Sequence, residues 1–244
     1  MQQSRIPLID EIRGAAILLM VLYHAGYDLV AIFGVSCPLF FSPGVNFLRD
    51  VMAGSFILIS GCACRLSRSN LRRGVMTFGC GLLMTAVTAL VIPDQLIVFG
   101  VLHCLGACML LFALCDRWLD TLRPTAGAVL AGVLFYLTFS VPRGYVGGIA
   151  YHIAVPRALY EVRFLFPFGM PSSTFFSSDY YPLIPWFFLF LIGAFLGVPL
   201  AARRFPAAFY RPHCRPLAFV GRHTLWVYLL HQPVIYGTLL LLNQ

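Results

Sequence analysis

The sequence predicts an all-α integral membrane protein crossing a bilayer with about seven helices, and three observations carry that prediction. Hydrophobic residues make up 60% of the chain and charged residues 11%, where a soluble domain carries about 25% charge. The apolar runs are long enough to cross about 30 Å of hydrocarbon, and they leave little chain for anything else. The basic residues are all arginines, with no lysine, and they cluster at alternate ends of those runs. Residues 1–244 therefore read as one polytopic domain without a soluble module.

The expected spans run from Ile12 to Gly34, Val45 to Cys64, Gly74 to Ile92, Leu96 to Cys115, Thr125 to Val141, Leu183 to Leu200 and Leu217 to Leu242. The stretch Tyr145 to Phe168 has room for a re-entrant or interfacial helix. Threaded this way, one side receives Arg5, then Arg65, Arg68, Arg72 and Arg73, then Arg117 and Arg123, then Arg203, Arg204, Arg211, Arg215 and Arg222. The other side receives Arg49, Arg143, Arg157 and Arg163. The positive-inside rule then places the amino terminus in the cytoplasm and the carboxyl terminus outside.

The net charge of +8 is on this reading mainly a topology signal. Most of these arginines face solvent or lipid headgroups, so the implied partner is the bilayer and not nucleic acid. The amino-terminal apolar stretch is not read as a cleavable signal, because it is too long and contains Arg13, His24 and Asp28. No repeat of fixed period and no low-complexity tract is evident. The longest segment between spans, Pro142 to Pro182, is expected outside, and loops of that length are usually functional.

The eight cysteines carry less information than their number suggests. Cys62, Cys64, Cys80, Cys104, Cys108 and Cys115 fall in expected spans, where cysteine packs as a small apolar residue. Neither Cys62-Ala63-Cys64 nor the pair Cys104 and Cys108 reproduces a zinc spacing, so no metal site is expected. Cys37, near the outer surface, is the candidate for a disulfide, with no evident partner.

Ionisable groups inside spans are costly and default to functional candidates. Arg13 and His24 stand eleven positions apart in the first span, about 16 Å of helical rise and within about 20° of one face. His231 and His103 bring imidazoles from two further spans, expected about 21 Å and about 10 Å deep from their own ends, against about 18 Å for His24. Three histidines at the middle or outer-middle of the bilayer suggest a site, although each alone also fits an interhelical hydrogen bond. Asp28 follows His24 by four residues, so it either accepts the imidazole N–H and fixes its tautomer or only caps the outer helix end. Asp10 is expected to neutralise Arg13.

The string Asp10-x-x-Arg13-Gly14, followed by apolar residues and His24, resembles the first span of the transmembrane acyltransferase superfamily, including its acyltransferase-three branch. Other stretches resemble the short bacterial members of the heparan-α-glucosaminide N-acetyltransferase branch. They are Phe99-Gly100-Val101-Leu102-His103-Cys104-Leu105-Gly106, then Ser178-Asp179-Tyr180-Tyr181-Pro182-Leu183-Ile184-Pro185-Trp186-Phe187, then the run from Gly221 to Pro233 that contains His231 and Gln232. The similarity extends from Arg5 to about Val234.

The resemblance implies acyl transfer from cytoplasmic acyl-CoA, acetyl-CoA by preference, to a glycan or amino-sugar-like acceptor at the opposite face. It implies that Arg13 helps hold the donor, that His24 is the base or acyl-handling residue, and that His103, Asp179 and Tyr180 border the site. It also implies a bacterial cytoplasmic membrane, with a homodimer possible. The departure is size: this chain lacks the extra spans and luminal domain of the lysosomal relatives, so an envelope sugar or small amine is expected in place of heparan.

Physical chemistry supports the donor half of that reading. Arg13, Arg65, Arg68, Arg72, Arg73 and Arg222 flank the expected cytoplasmic helix ends, and guanidinium groups bind phosphates through paired, charge-assisted hydrogen bonds. The thioester would then arrive beside His24, with Tyr23, Tyr180 or His103 as oxyanion donor. Direct transfer and an acyl-histidine route both fit the residues. A proton-coupled transporter is the rival class, since midplane histidines and carboxylates also build proton relays. A non-catalytic membrane subunit is the third.

Overall fold

A computed structural model describes residues 6–148 and 151–242. Arg5, counted above with the amino-terminal charge, and Ile149 and Ala150 of the long segment lie outside the described residues. The helices are α1 (Pro7–Tyr27), α2 (Pro43–Cys64), α3 (Asn70–Val91), α4 (Val101–Leu119), α5 (Pro124–Thr138), α6 (Ala158–Glu161), α7 (Leu183–Ala201), α8 (Arg215–Arg222) and α9 (Thr224–Leu242). Strands β1 (Tyr145–Gly147) and β2 (His152–Ala154) pair antiparallel with Val146 opposite Ile153. The fold is all-α apart from this hairpin. Among the described residues seven helices are long and apolar enough to cross a membrane, which makes the chain an integral membrane protein.

Helix starts follow local rules. Proline stands in the first turn of α1, α5 and α8, where its missing N–H forfeits no helical bond. Ser69 caps α3 by accepting from the Arg72 amide at 3.3 Å. The Val101 amide, first of α4, donates to Asp179 Oδ2 at 3.0 Å.

The chain divides into two compact units, one of Met1–Ile59 with Phe205–Gln244 and one of Ser60–Arg204. In the first unit α1 packs against α8 and α9. The α1–α8 approach is backbone to backbone, because a Cβ on Gly14 would run into the Leu217 carbonyl and one on Gly221 into the Asp10 carbonyl. Small residues at such crossings let membrane helices gain van der Waals contact where lipid removes the hydrophobic drive. In the second unit α3 packs on α4, and α4 and α5 on α7. Phe112, Phe190, Leu105, Cys104 and Cys108 are fully buried there.

Three expectations are corrected. The expected span Leu217 to Leu242 is two helices: α8 ends at Arg222, His223 leaves helical geometry, and α9 begins at Thr224. Eight residues rising about 12 Å and bearing Arg215 and Arg222 cannot span a bilayer, so α8 packs along α1. The fourth span starts at Val101 and not Leu96, because the preceding backbone bonds to another segment: Ser178 N donates to Leu96 O at 3.0 Å and Tyr181 N to Phe99 O at 3.1 Å. The stretch Tyr145 to Phe168 holds the hairpin, the four-residue α6 and a 3₁₀ turn over Arg163–Phe168, with no long re-entrant helix among the described residues. Gly144 and Gly147, at φ 95° and 126°, supply the left-handed corners that turn this chain into strands.

Candidate active site

α1 gives way to a π turn over Asp28–Ile32, an irregularity that is frequent at functional sites. Asp28 is 0% exposed. Gln232 Nε2 of α9 donates to its Oδ1 and its Oδ2, at 2.8 Å each. The α-helical register that would set Asp28 on the His24 face ends at Tyr27, and among the described residues no hydrogen bond joins the two. The expected orienting of His24 by Asp28 is therefore corrected: the carboxylate belongs to Gln232.

His24 lies instead against His231 of α9, with ring centroids 5.0 Å apart and planes inclined at 59°. Tyr23 meets His24 edge-on at 5.9 Å and stacks on Phe40 at 5.2 Å. His231 is 8% exposed, and its Nδ1 stands 2.5 Å from the Tyr228 carbonyl. A carbonyl only accepts, so Nδ1 carries the hydrogen and Nε2 of the neutral ring keeps its lone pair. Among the described residues that Nε2 has no hydrogen-bond partner, and neither has Gln232 Oε1.

Toward the other end of α1, Arg13 pairs with Asp10 at 3.4 Å, as expected, and keeps 17% of its side chain exposed. Arg222 is exposed at the end of α8. Glu11 is buried, its Oε1 accepting from the amides of His213 at 2.7 Å and Cys214 at 2.9 Å. This carboxylate ties the start of α8 to α1.

The second unit holds a separate polar cluster at the start of α4. His103 is 4% exposed, stacked on Phe99 at 5.9 Å and met edge-on by Phe78 at 5.4 Å. Thr85 Oγ1 donates to the Ile97 carbonyl at 2.7 Å, which leaves it to accept from His103 Nε2 at 3.4 Å. His103 Nδ1 is buried without a partner among the described residues. Phe99 adopts φ 58°, a left-handed conformation that costs about 1–2 kcal/mol for an L-residue. Its carbonyl bond to Tyr181 and its ring on His103 hold it there.

Helix starts also revise the histidine depths. His103 is two residues past Val101, about 3 Å into its helix and not about 10 Å. His231 is seven past Thr224, about 10 Å and not about 21 Å, and His24 seventeen past Pro7, about 26 Å. Distance along a helix does not by itself fix a level, since His24 and His231 differ on that count by about 16 Å and yet their rings lie 5.0 Å apart.

Asp179 serves as the carboxylate cap of α4, and acid suits a helix N-terminus. The Tyr180 hydroxyl donates to the Phe166 carbonyl at 2.5 Å, and the Tyr160 hydroxyl to the Val141 carbonyl. Burial raises the pKa of both phenols, with Tyr160 adding to the effect on Tyr180. The one proton of Tyr180 is committed, so its expected part as an oxyanion donor is corrected. Arg65, expected at donor phosphates, is spent on packing: it donates to Asp120 at 2.5 Å and to the Ala194 carbonyl at 3.1 Å, and lies over the Phe112 ring at 4.9 Å. Arg72 is exposed in the first turn of α3.

A family model described as heparan-alpha-glucosaminide N-acetyltransferase, catalytic, matches residues 5–233. The chain belongs to that family. As a member of this membrane acetyltransferase family it has transferase chemistry to account for, and the matched region takes in Arg13, His24, Asp28, His231 and Gln232. No curated relative matches the chain. Among family features visible in the sequence, the string His231-Gln232-Pro233 was the available signal for the α9 half of the site. Glu11 gave no signal, because a carboxylate at the start of a span reads as an ordinary surface charge.

Proposed function

We propose that this protein is a membrane-embedded acyltransferase that moves an acyl group, acetyl by preference, from cytoplasmic acyl-CoA to an amine or hydroxyl of a sugar or small acceptor at the outer face. The observation that carries the reading is the His24–His231 pair, two imidazoles 5.0 Å apart between α1 and α9 in a chain of the acetyltransferase family. Ionisable groups among apolar spans are costly and by default mark functional sites.

Arg13 and Arg222, both in the first unit, are the guanidinium groups assigned to donor phosphates, which they suit by charge and fork geometry. The donor's extended arm covers much of the roughly 16 Å of rise from Arg13 to His24. His24 and His231 are the imidazoles at the reacting centre, and Asp28 acts through Gln232 to set α9 against α1. His103 and Asp179 keep the start of α4 rigid within the second unit. The amino terminus and the arginine-rich side face the cytoplasm of a bacterial inner membrane, and the carboxyl terminus lies outside.

Proteoliposomes of determined orientation test this reading. Acetyl-CoA supplied on the arginine side is expected to release CoA there while acetylated glucosamine, the probe acceptor, appears on the other side. Failure of the purified chain to bind acetyl-CoA sinks the proposal in favour of proton-coupled transport. A need for both substrates on one side sinks the sidedness.

A further inference from the structure

We propose that His231 is the proton acceptor of the transfer reaction and that His24 beside it is not; this rests on the acyltransferase reading above. A general base needs a lone pair that is unoccupied and whose direction is fixed. His231 meets both conditions, because Nδ1–H is held by the Tyr228 carbonyl and Nε2 is buried with no partner among the described residues. His24 lacks such an anchor, since Asp28, the group that would have set its tautomer, is engaged by Gln232.

A second atom points the same way. Gln232 Oε1, one residue along α9, is likewise buried without a donor. Two neighbouring hydrogen-bond acceptors, each left without its donor, are costly in an apolar bundle. A ligand that brings N–H or O–H groups relieves both. The acyl acceptor is such a ligand, whether an amine or a polyol, and its reacting group belongs at Nε2. The acyl-CoA thioester, which has no donor at its reacting end, does not fit these two atoms.

The step balances within those groups. The acceptor nitrogen or oxygen attacks the thioester carbonyl as its proton passes to His231 Nε2. The new C–N or C–O bond forms, the C–S bond breaks, and the departing CoA thiolate takes the proton back from Nε2. His231 then returns to its starting tautomer, still anchored at Tyr228. His24, whose ring lies 5.0 Å from that of His231, is left to donate to the carbonyl oxygen as negative charge gathers there.

The test uses the full-length chain in lipid with acetyl-CoA and glucosamine. His231→Gln retains a side chain that can pair with the Tyr228 carbonyl, so it separates folding from proton transfer. It is expected to lower kcat by about 100-fold or more while the KM for acetyl-CoA moves less than about threefold. Added imidazole is expected to restore turnover of His231→Ala by about tenfold, which a packing role would not produce. A folded His231→Gln protein with wild-type kcat overturns the assignment and leaves the acyltransferase reading standing. A wild-type chain that binds no acetyl-CoA overturns both.

Discussion

Gln232 Nε2 reaches both carboxylate oxygens of Asp28 at 2.8 Å, joining two residues 204 positions apart in sequence. The bond explains how a fully buried carboxyl group persists in an apolar helix pair. Gln232→Leu removes the donor and leaves the carboxyl group stranded, which is expected to lower stability by about 1–3 kcal/mol. Asp28→Asn keeps a hydrogen-bonding partner for Gln232 and is expected to melt near the wild type. Thermal unfolding in detergent compares them.

Division of labour along α1 gives a second expectation. Arg13→Ala should raise the KM for acetyl-CoA while kcat changes little, because it removes a grip that ground state and transition state share. His24→Ala should lower kcat by about 100-fold with donor binding intact. Steady-state kinetics with a binding assay separates the two, and equal effects on both constants would contradict it.

The arginines at the expected cytoplasmic ends are not equivalent. Arg72 is exposed, so Arg72→Ala should weaken donor binding without moving the melting temperature. Arg65 ties its segment to Asp120, the Ala194 carbonyl and the Phe112 ring. Arg65→Ala should therefore lower the melting temperature first, and a stable Arg65→Ala protein with weakened donor binding would restore it to the donor site.

The contact between α1 and α8 has no room for a side chain at its crossing. Gly221→Val is expected to prevent folding, because its Cβ would enter the Asp10 carbonyl. Gly79→Ala is the control, having nothing within 4 Å of its added carbon. Size-exclusion profiles of the two proteins should diverge accordingly.

Alkaline pH should loosen the long segment between α5 and α7. The Tyr180 phenol has its pKa raised above the ordinary 10.0 by burial and by Tyr160. A phenol that holds its proton more tightly when folded stabilises the fold below the unfolded value, and that contribution is lost as pH rises through the folded one. Proteolysis at Arg157 and Arg163 should therefore increase above about pH 10, while Tyr180→Phe should lose the part of this dependence due to Tyr180. A flat cleavage rate across that range would contradict the assignment.

The helical class and the number of spans were legible because long apolar runs and clustered arginines are properties of single segments. Asp10 beside Arg13 was legible for the same reason, being one helical turn. What escaped was set by partners distant in sequence. The stretch from Leu217 to Leu242 is apolar at both ends, and the polar run Arg222-His223-Thr224 inside it marks the break at His223 that the single expected span passed over. Asp28 sits at helical spacing from His24, yet a π turn and a glutamine from the far end of the chain decide where its oxygens go. His103 was placed too deep because the residues before Val101 are apolar but bonded to the 177–181 backbone.

The first unit is assembled from the two ends of the chain, with Ser60–Arg204 between them. During synthesis at about 5–20 residues per second, Asp28 leaves the ribosome roughly 10–40 s before Gln232 exists. Through that interval α1 resides in the translocon or bilayer with an unmatched carboxyl group. A ribosome that stalls before α9 leaves α1 with a buried-type carboxyl group and without its Gln232 donor, a costly state in an apolar surrounding. The carboxyl group of α1 thus waits for a donor that lies 204 positions downstream, on α9.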